Sequence, residues 1–264
     1  MDKFLFENEL HKEKSDENKK RIKKNTENFL KTNDLFKNIT GIAIEISNIC
    51  NYSCFHLECP ASTINDKCIM PSEKVYKILN ELSAIKYTGR IYFYIYNEPL
   101  IDPRLFMFID YAKKNITGCE IVLNTNGFYL TQDLLYELKH IGVDCLWATA
   151  YGKSEWERLT NLDAPIAYRV RYGELDDRMK WDGLKDNNSN VPCNTFISLV
   201  NIFVNGDIGL CCYEYKHSYN LGNVFLNSIE YCLNSSIIID IQKNLLNGLR
   251  ILKICKKCKT YVDI

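Results

Sequence analysis

A chain of 264 residues is long enough for one sizeable core or for two smaller domains sharing a face. Its hydrophobic fraction of 46% and charged fraction of 25% are those of an ordinary soluble globular protein. The 33 basic and 33 acidic residues cancel, leaving no electrostatic footprint for nucleic acid or an anionic membrane, and no apolar run reaches the roughly eighteen residues of a spanning helix.

The opening stretch, MDKFLFENELHKEKSDENKKRIKK, has no apolar signal segment and no cleavage site, so a cytoplasmic location is expected. In a reducing compartment the twelve cysteines are expected to be metal ligands or small buried hydrophobes instead of disulfides. They are unevenly placed. Cys50, Cys54 and Cys59 cluster early, and Cys193, Cys211, Cys212, Cys255 and Cys258 gather in the last third. Cys68, Cys119, Cys145 and Cys232 stand singly and read as packing residues.

Residues 1–38 mix Lys, Glu, Asp and Asn with scattered apolar residues, which reads as a charged helical extension packed loosely on the main body, or as a partly disordered tail. From residue 39 to 172 strands and helices alternate. GIAIEIS (41–47) is a strand, Ser72 can cap a helix over 73–86, and RIYFYIY (90–96) is the next strand. A helix over 102–115, a strand over 119–125, a helix near 131–141 and strands over 144–150 and 166–172 follow. This order predicts an α/β fold, a partial (β/α) barrel of about five to six parallel strands, with ligands at the C-terminal ends of the strands. The rhythm stops after residue 172. Residues 173–264 contain a loop-rich stretch, a β-hairpin over 198–212 turning at Asn205-Gly206-Asp207, a helix near 236–247 and a Cys-x-x-Cys tail, which reads as a small second domain.

Cys50, Cys54 and Cys59 lie on the loop after the first barrel strand, where a barrel places its active site. Three thiolates leave one iron of a 4Fe–4S cluster open to a ligand, whereas His56 or Glu58 could complete a zinc site. Cys193, Cys211, Cys255 and Cys258 suit either a tetrahedral zinc or a fully ligated 4Fe–4S cluster, and spacing does not separate the two. A zinc-stabilised binding protein is therefore the non-enzyme reading.

The stretch CNYSCFHLECPAS (50–62) resembles the cluster loop of radical S-adenosylmethionine enzymes, whose pattern is Cys, three residues, Cys, two residues, Cys. Leu57 stands where that pattern puts its third ligand, so Leu57-Glu58 or a neighbouring pair reads as an insertion, which a loop absorbs at small entropic cost, and Cys59 becomes the third ligand. YNEP (96–99) is similar to the family's Gly-Gly-Glu-Pro motif, and NTNG (124–127) to its Thr-Asn-Gly stretch. The resemblance implies S-adenosylmethionine held by Tyr96, Asn97 and Glu98, with Glu98 on its amino group, and by Thr125 and Asn126 near the ribose or carboxylate. Residues 193–258 resemble the twitch or SPASM domain of the same family, implying one auxiliary 4Fe–4S cluster on Cys193, Cys211, Cys255 and Cys258. Cys212 is then spare and is expected to point into the core.

By resemblance the activity is reductive cleavage of S-adenosylmethionine to a 5′-deoxyadenosyl radical that abstracts hydrogen from a substrate carbon. The layout of residues 40–264 resembles the family's amino-cyclitol dehydrogenases, which implies oxidation or epimerisation of a small polyol, sugar or amino-cyclitol. Modification of a ribosomally made peptide is the competing enzyme reading. A flavodoxin or ferredoxin is the implied electron donor. Lys180, Asp182, Arg169 and Arg171 are candidates for a substrate-side base or binding group, though each also reads as an ordinary surface charge.

Overall fold

A computed structural model of the chain describes residues 5–52, 61, 66–173 and 190–258. The strands are β1 (Leu5–Glu7), β2 (Gly41–Ile44), β3 (Arg90–Tyr92), β4 (Glu120–Thr125), β5 (Val143–Ala150), β6 (Ala167–Tyr172), β7 (Val200–Ile202) and β8 (Ile208–Gly209). The helices are α1 (Glu9–Thr32), α2 (Ser72–Ala84), α3 (Leu105–Asn115), α4 (Gln132–Ile141), α5 (Lys153–Thr160), α6 (Thr195–Ser198), α7 (Ile229–Leu233), α8 (Ser236–Leu246) and α9 (Lys253–Lys257). One sheet runs β1-β6-β5-β4-β3-β2-β7-β8. Strands β2 to β6 pair in parallel one after another, and β7 joins the other side of β2, also in parallel. The antiparallel β1 and β8 form the two edges. This is the expected parallel α/β sheet, with six parallel strands.

Alternation along the strands divides two layers of packing. Ala43, Tyr92, Val122, Cys145 and Ala167 meet on one face. Their sequence neighbours Ile42, Ile91, Ile121, Leu146 and Tyr168 belong to the larger core that the helices cover. The hairpin β7–β8 turns where expected, with Gly206 at φ +86° and its N–H donating to the Phe203 carbonyl. Ser72 does not cap α2: Pro71 occupies the cap position and no side chain caps the helix.

From residue 5 on, the N-terminal extension is a short strand and a long helix fastened to the sheet. Asn8 caps α1 by accepting from the His11 N–H at 2.9 Å, donates from Nδ2 to the Ile166 carbonyl at 2.8 Å, and accepts from the Tyr168 N–H at 3.0 Å. One side chain thus starts the helix and fastens it to β6. Further along, Arg21 donates to the Thr88 carbonyl and to Glu120, while Arg90 donates to the Lys14 carbonyl and to Glu120. Burial opposes charge on Glu120, but the Arg21 and Arg90 guanidinium groups outweigh it and hold the carboxyl below its ordinary value. These partners sit at the N-terminal ends of β3, β4 and β6, so α1 lies across the end of the sheet opposite the Cys50 loop. The charged composition hid this because the helix spends its charges on the strand ends beneath it. Strand β7 likewise ties the last third of the chain into the main sheet.

Replacing Asn8 with Ala removes a helix cap and two inter-element hydrogen bonds together, and should cost about 2 kcal/mol of stability in a urea titration. An unchanged midpoint would contradict the anchoring of α1.

Candidate functional site

The loops after β2, β3 and β4 meet around one buried carboxylate. Glu98 is 1% exposed. Its Oε1 accepts from the Thr125 hydroxyl at 2.8 Å and the Leu100 N–H at 3.1 Å, and its Oε2 accepts from the Asn126 N–H at 2.7 Å. The Glu98 N–H in turn donates to the carbonyl of Ile49, the residue before Cys50. Burial raises the Glu98 carboxyl above its ordinary value, opposed by the donors from Asn126, Thr125 and Leu100. Asn126 completes the circle: its Nδ2 donates to Asn51 Oδ1 at 2.7 Å and lies 3.8 Å from Cys50 Sγ.

Each loop has a local reason for its shape. Gly127 has φ +71°, and an added Cβ there would meet Leu159 at 2.7 Å, so the turn of NTNG needs glycine. Arg158 on α5 fastens that turn by donating to the Gly127 carbonyl at 2.7 Å. Asn97 stands where the family motif has glycine, yet its φ is not positive; its Oδ1 accepts from the Ile95 N–H at 3.0 Å and closes the bend itself. Tyr52, within the cysteine loop, donates to Glu155 on α5 and sets its ring edgewise on Phe128 and Tyr151 at 5.8 and 5.4 Å.

The second thiol group is assembled from the last third of the chain. Helix α8 places Cys193: Gln242, fully buried, donates to the Cys193 carbonyl at 3.0 Å, and the Cys193 N–H donates to the Leu245 carbonyl at 2.9 Å. Cys211 follows β8, Cys255 lies on α9, and Cys258 ends it with its N–H on the Cys255 carbonyl. Among the described residues no three Cys, His, Asp or Glu side chains close around a point as a single metal ion requires. The four thiols nevertheless sense one another. Burial first, and then the neighbouring thiols Cys193 and Cys258, push Cys255 up to about 12. Burial, then Cys212, Cys255 and Cys193, raise Cys211. Burial raises Cys193 too, with Cys258 adding to it. Such a set carries thiolates only against compensating positive charge, which a zinc ion or an iron–sulfur cluster supplies alike.

Residues 193–259 match the SPASM family, an iron–sulfur cluster-binding domain. Across 82% of this chain and 91% of the relative, the sequence is 25% identical to an S-adenosyl-L-methionine-dependent 2-deoxy-scyllo-inosamine dehydrogenase of Niallia circulans. The crystal structure of BtrN in complex with AdoMet and 2-DOIA superposes with a TM-score of 0.68 at 22% identity, covering 84% of this chain and 93% of that one. The structure of anSMEcpe with bound AdoMet superposes at a TM-score of 0.55 and 13% identity, over 83% of this chain and 86% of that one. The chain shares the fold of these two AdoMet-bound structures, and its C-terminal segment matches the SPASM family.

Within that fold the structure brings Cys50, Asn97, Glu98, Thr125 and Asn126 together. Tyr96 is buried beside them, with its backbone on Glu45. Cys54, Cys59, Lys180 and Asp182 lie outside the described residues, as do His56 and Glu58. Arg169 has its Nε 3.5 Å from a carboxylate oxygen of Glu7 on β1. Arg171 is exposed and donates from Nε to Thr149 at 3.1 Å. Cys212 is exposed and does not enter the core, since the chain turns outward after β8. Cys119, Cys145 and Cys232 are buried as expected, but Cys68 is exposed, held by its backbone to Asn48. Sequence reasoning missed Asn51, Tyr52, Glu155 and Arg158. Their signal was proximity in sequence to the motifs, and only the fold reveals that proximity in space.

It also missed Glu45, whose two oxygens accept the N–H groups of Tyr96 at 3.1 Å and Val204 at 3.0 Å. Burial pushes its carboxyl up to about 7, against those two donors, from 4.5 in the unfolded chain. The raised value means the protonated form favours folding: this contribution is complete below about pH 4.5 and is lost as pH rises through about 7. Between about pH 4 and about pH 8 the wild type should therefore lose about 3 kcal/mol relative to Glu45→Gln in denaturant titrations. Parallel pH profiles for the two proteins would contradict the assignment.

Proposed function

We propose that this chain is a radical S-adenosylmethionine enzyme that abstracts a hydrogen atom from a small polyol, sugar or amino-cyclitol and oxidises or epimerises it. The observation that carries the reading is the Glu98 hydrogen-bond circle, which draws three strand-end loops, Cys50 among them, to one place at the C-terminal end of the parallel strands. The alignment with an amino-cyclitol dehydrogenase along nearly its whole length supports the small-molecule class over a peptide. The iron–sulfur description of the matched domain weighs against zinc.

In this reading Cys50, Cys54 and Cys59 hold a site-differentiated 4Fe–4S cluster, and Cys193, Cys211, Cys255 and Cys258 hold an auxiliary one. Residues 39–172 form the S-adenosylmethionine unit and 173–264 the auxiliary unit, joined through the shared sheet. When bound, the first cluster and S-adenosylmethionine supply reductive sulfonium cleavage and hydrogen-atom abstraction. The protein's own part is placement. Asn126, locked to Asn51 and Glu98, fixes the turn over the cofactor. Glu98 is engaged by protein donors and acts first as the strut of the site. Its charge, held by neutral donors among the described residues in a dry setting, favours an ammonium beside the Tyr96–Glu98 backbone. Arg171, at the C-terminal end of β6, stands with Arg169, Lys180 and Asp182 as a candidate substrate-side group. In this reading the protein works in the cytoplasm, where a flavodoxin or ferredoxin would deliver the electron, and neither nucleic acid nor membrane enters the reading.

The test is anaerobic reconstitution followed by addition of reductant and S-adenosylmethionine. About eight irons per chain and formation of 5′-deoxyadenosine are expected, falling to about four irons and no 5′-deoxyadenosine in Cys59→Ala. Four irons and no cleavage in the wild type would contradict the reading.

A further inference from the structure

The S-adenosylmethionine motif and the SPASM domain touch along one buried seam, and Tyr96 is in both. Its backbone precedes Glu98 by two residues. Its side chain is 5% exposed and reaches the other way, donating from the hydroxyl to the Cys212 carbonyl at 2.9 Å, one residue from Cys211. Its ring stacks on Phe203 of the hairpin at 6.0 Å and 13°. Phe203 stacks in turn on His217 at 3.8 Å. The hairpin is shaped for this: an added Cβ at Gly209 would meet the Phe203 ring at 2.4 Å, so only glycine lets the ring lie where it does. Glu45 closes the seam from below, with one oxygen on the Tyr96 N–H and the other on the Val204 N–H. Two side chains thus bind the loop after β3 to the segment that carries Cys211, at three hydrogen bonds and one ring stack.

We propose that Tyr96 and Glu45 are positioning residues that couple the two cofactor sites, so that a ligand settling on the Tyr96–Glu98 backbone is felt at the Cys211 loop. A buried seam with satisfied hydrogen bonds at both ends has little freedom to absorb a displacement locally. A shift of the Tyr96 backbone therefore carries the phenol and the Cys212 carbonyl with it. Coupling of this kind is reciprocal: occupancy of the SPASM site strengthens or weakens S-adenosylmethionine binding by the same factor. The seam is a property of the described residues alone. The coupling rests on the cofactor reading above.

Two measurements separate these. In the cofactor-free protein, Tyr96→Phe keeps the ring and removes only the hydroxyl, so hydrogen exchange over residues 203–214 should quicken about tenfold. Glu45→Gln should do the same at the Tyr96 and Val204 amides. Unchanged exchange in both variants overturns the seam, whatever the cofactors are. In the reconstituted protein, S-adenosylmethionine should shift the midpoint potential of the SPASM cluster in the wild type, and Tyr96→Phe should abolish that shift. A wild-type potential that ignores S-adenosylmethionine, or an equal shift in Tyr96→Phe, overturns the coupling. Failure to assemble either cluster would instead count against the proposed function, with the exchange result still standing.

Discussion

The site depends on burying one carboxylate whose hydrogen-bond partners among the described residues are all neutral. Water is a better partner for Glu98 than the protein interior, and burial accordingly raises its carboxyl above the ordinary value. The structure meets that cost with three donors taken from two loops, one hydroxyl and two backbone amides, so the charge is held only if both loops are in register. Desolvation thereby becomes a geometric constraint. The bend of YNEP and the turn of NTNG cannot drift apart without leaving a buried charge unsatisfied, and Asn126 passes the constraint to Asn51 and the cysteine loop.

The same device recurs one strand over. Glu45, equally dry, links the loop after β3 to the hairpin through two backbone amides. Buried carboxylates with backbone partners thus stitch the mouth of the sheet, while paired charges secure its opposite end, where α1 meets Glu120 and Arg90. The contrast follows from environment. At the closed end long cationic side chains reach across from a helix. At the functional end backbone amides and one hydroxyl satisfy Glu98 and Glu45.

The sequence made the parallel sheet legible because β-branched and aromatic runs alternate with amphipathic helices, and the strands predicted from 41 to 172 appear within a few residues of their places. The positions of YNEP and NTNG at strand ends were legible as well, since both motifs are short and follow directly on predicted strands. The N-terminal helix was hidden, because its charges read as solvent-facing until the strand ends beneath them are known. The pairing of Arg169 with Glu7 was hidden as well, because Glu7 lies on a three-residue strand too short to predict. The outward turn of Cys212 and the exposure of Cys68 depend on backbone paths that no spacing encodes. Glu45 sits inside an alternating strand, where its acceptor role depends on two residues distant in sequence.

The measurement closest to the centre of this account is the affinity of the reconstituted protein for S-adenosylmethionine in wild type and Glu98→Gln, read with exchange of the Asn126 amide. Glutamine is nearly isosteric but leaves at least one donor unmet. The account predicts at least a tenfold weaker affinity, on the order of one buried charge-assisted hydrogen bond, together with faster exchange at Asn126. Equal affinity with an Asn126 amide as protected as before would contradict it, and the carboxylate would then be incidental to the site.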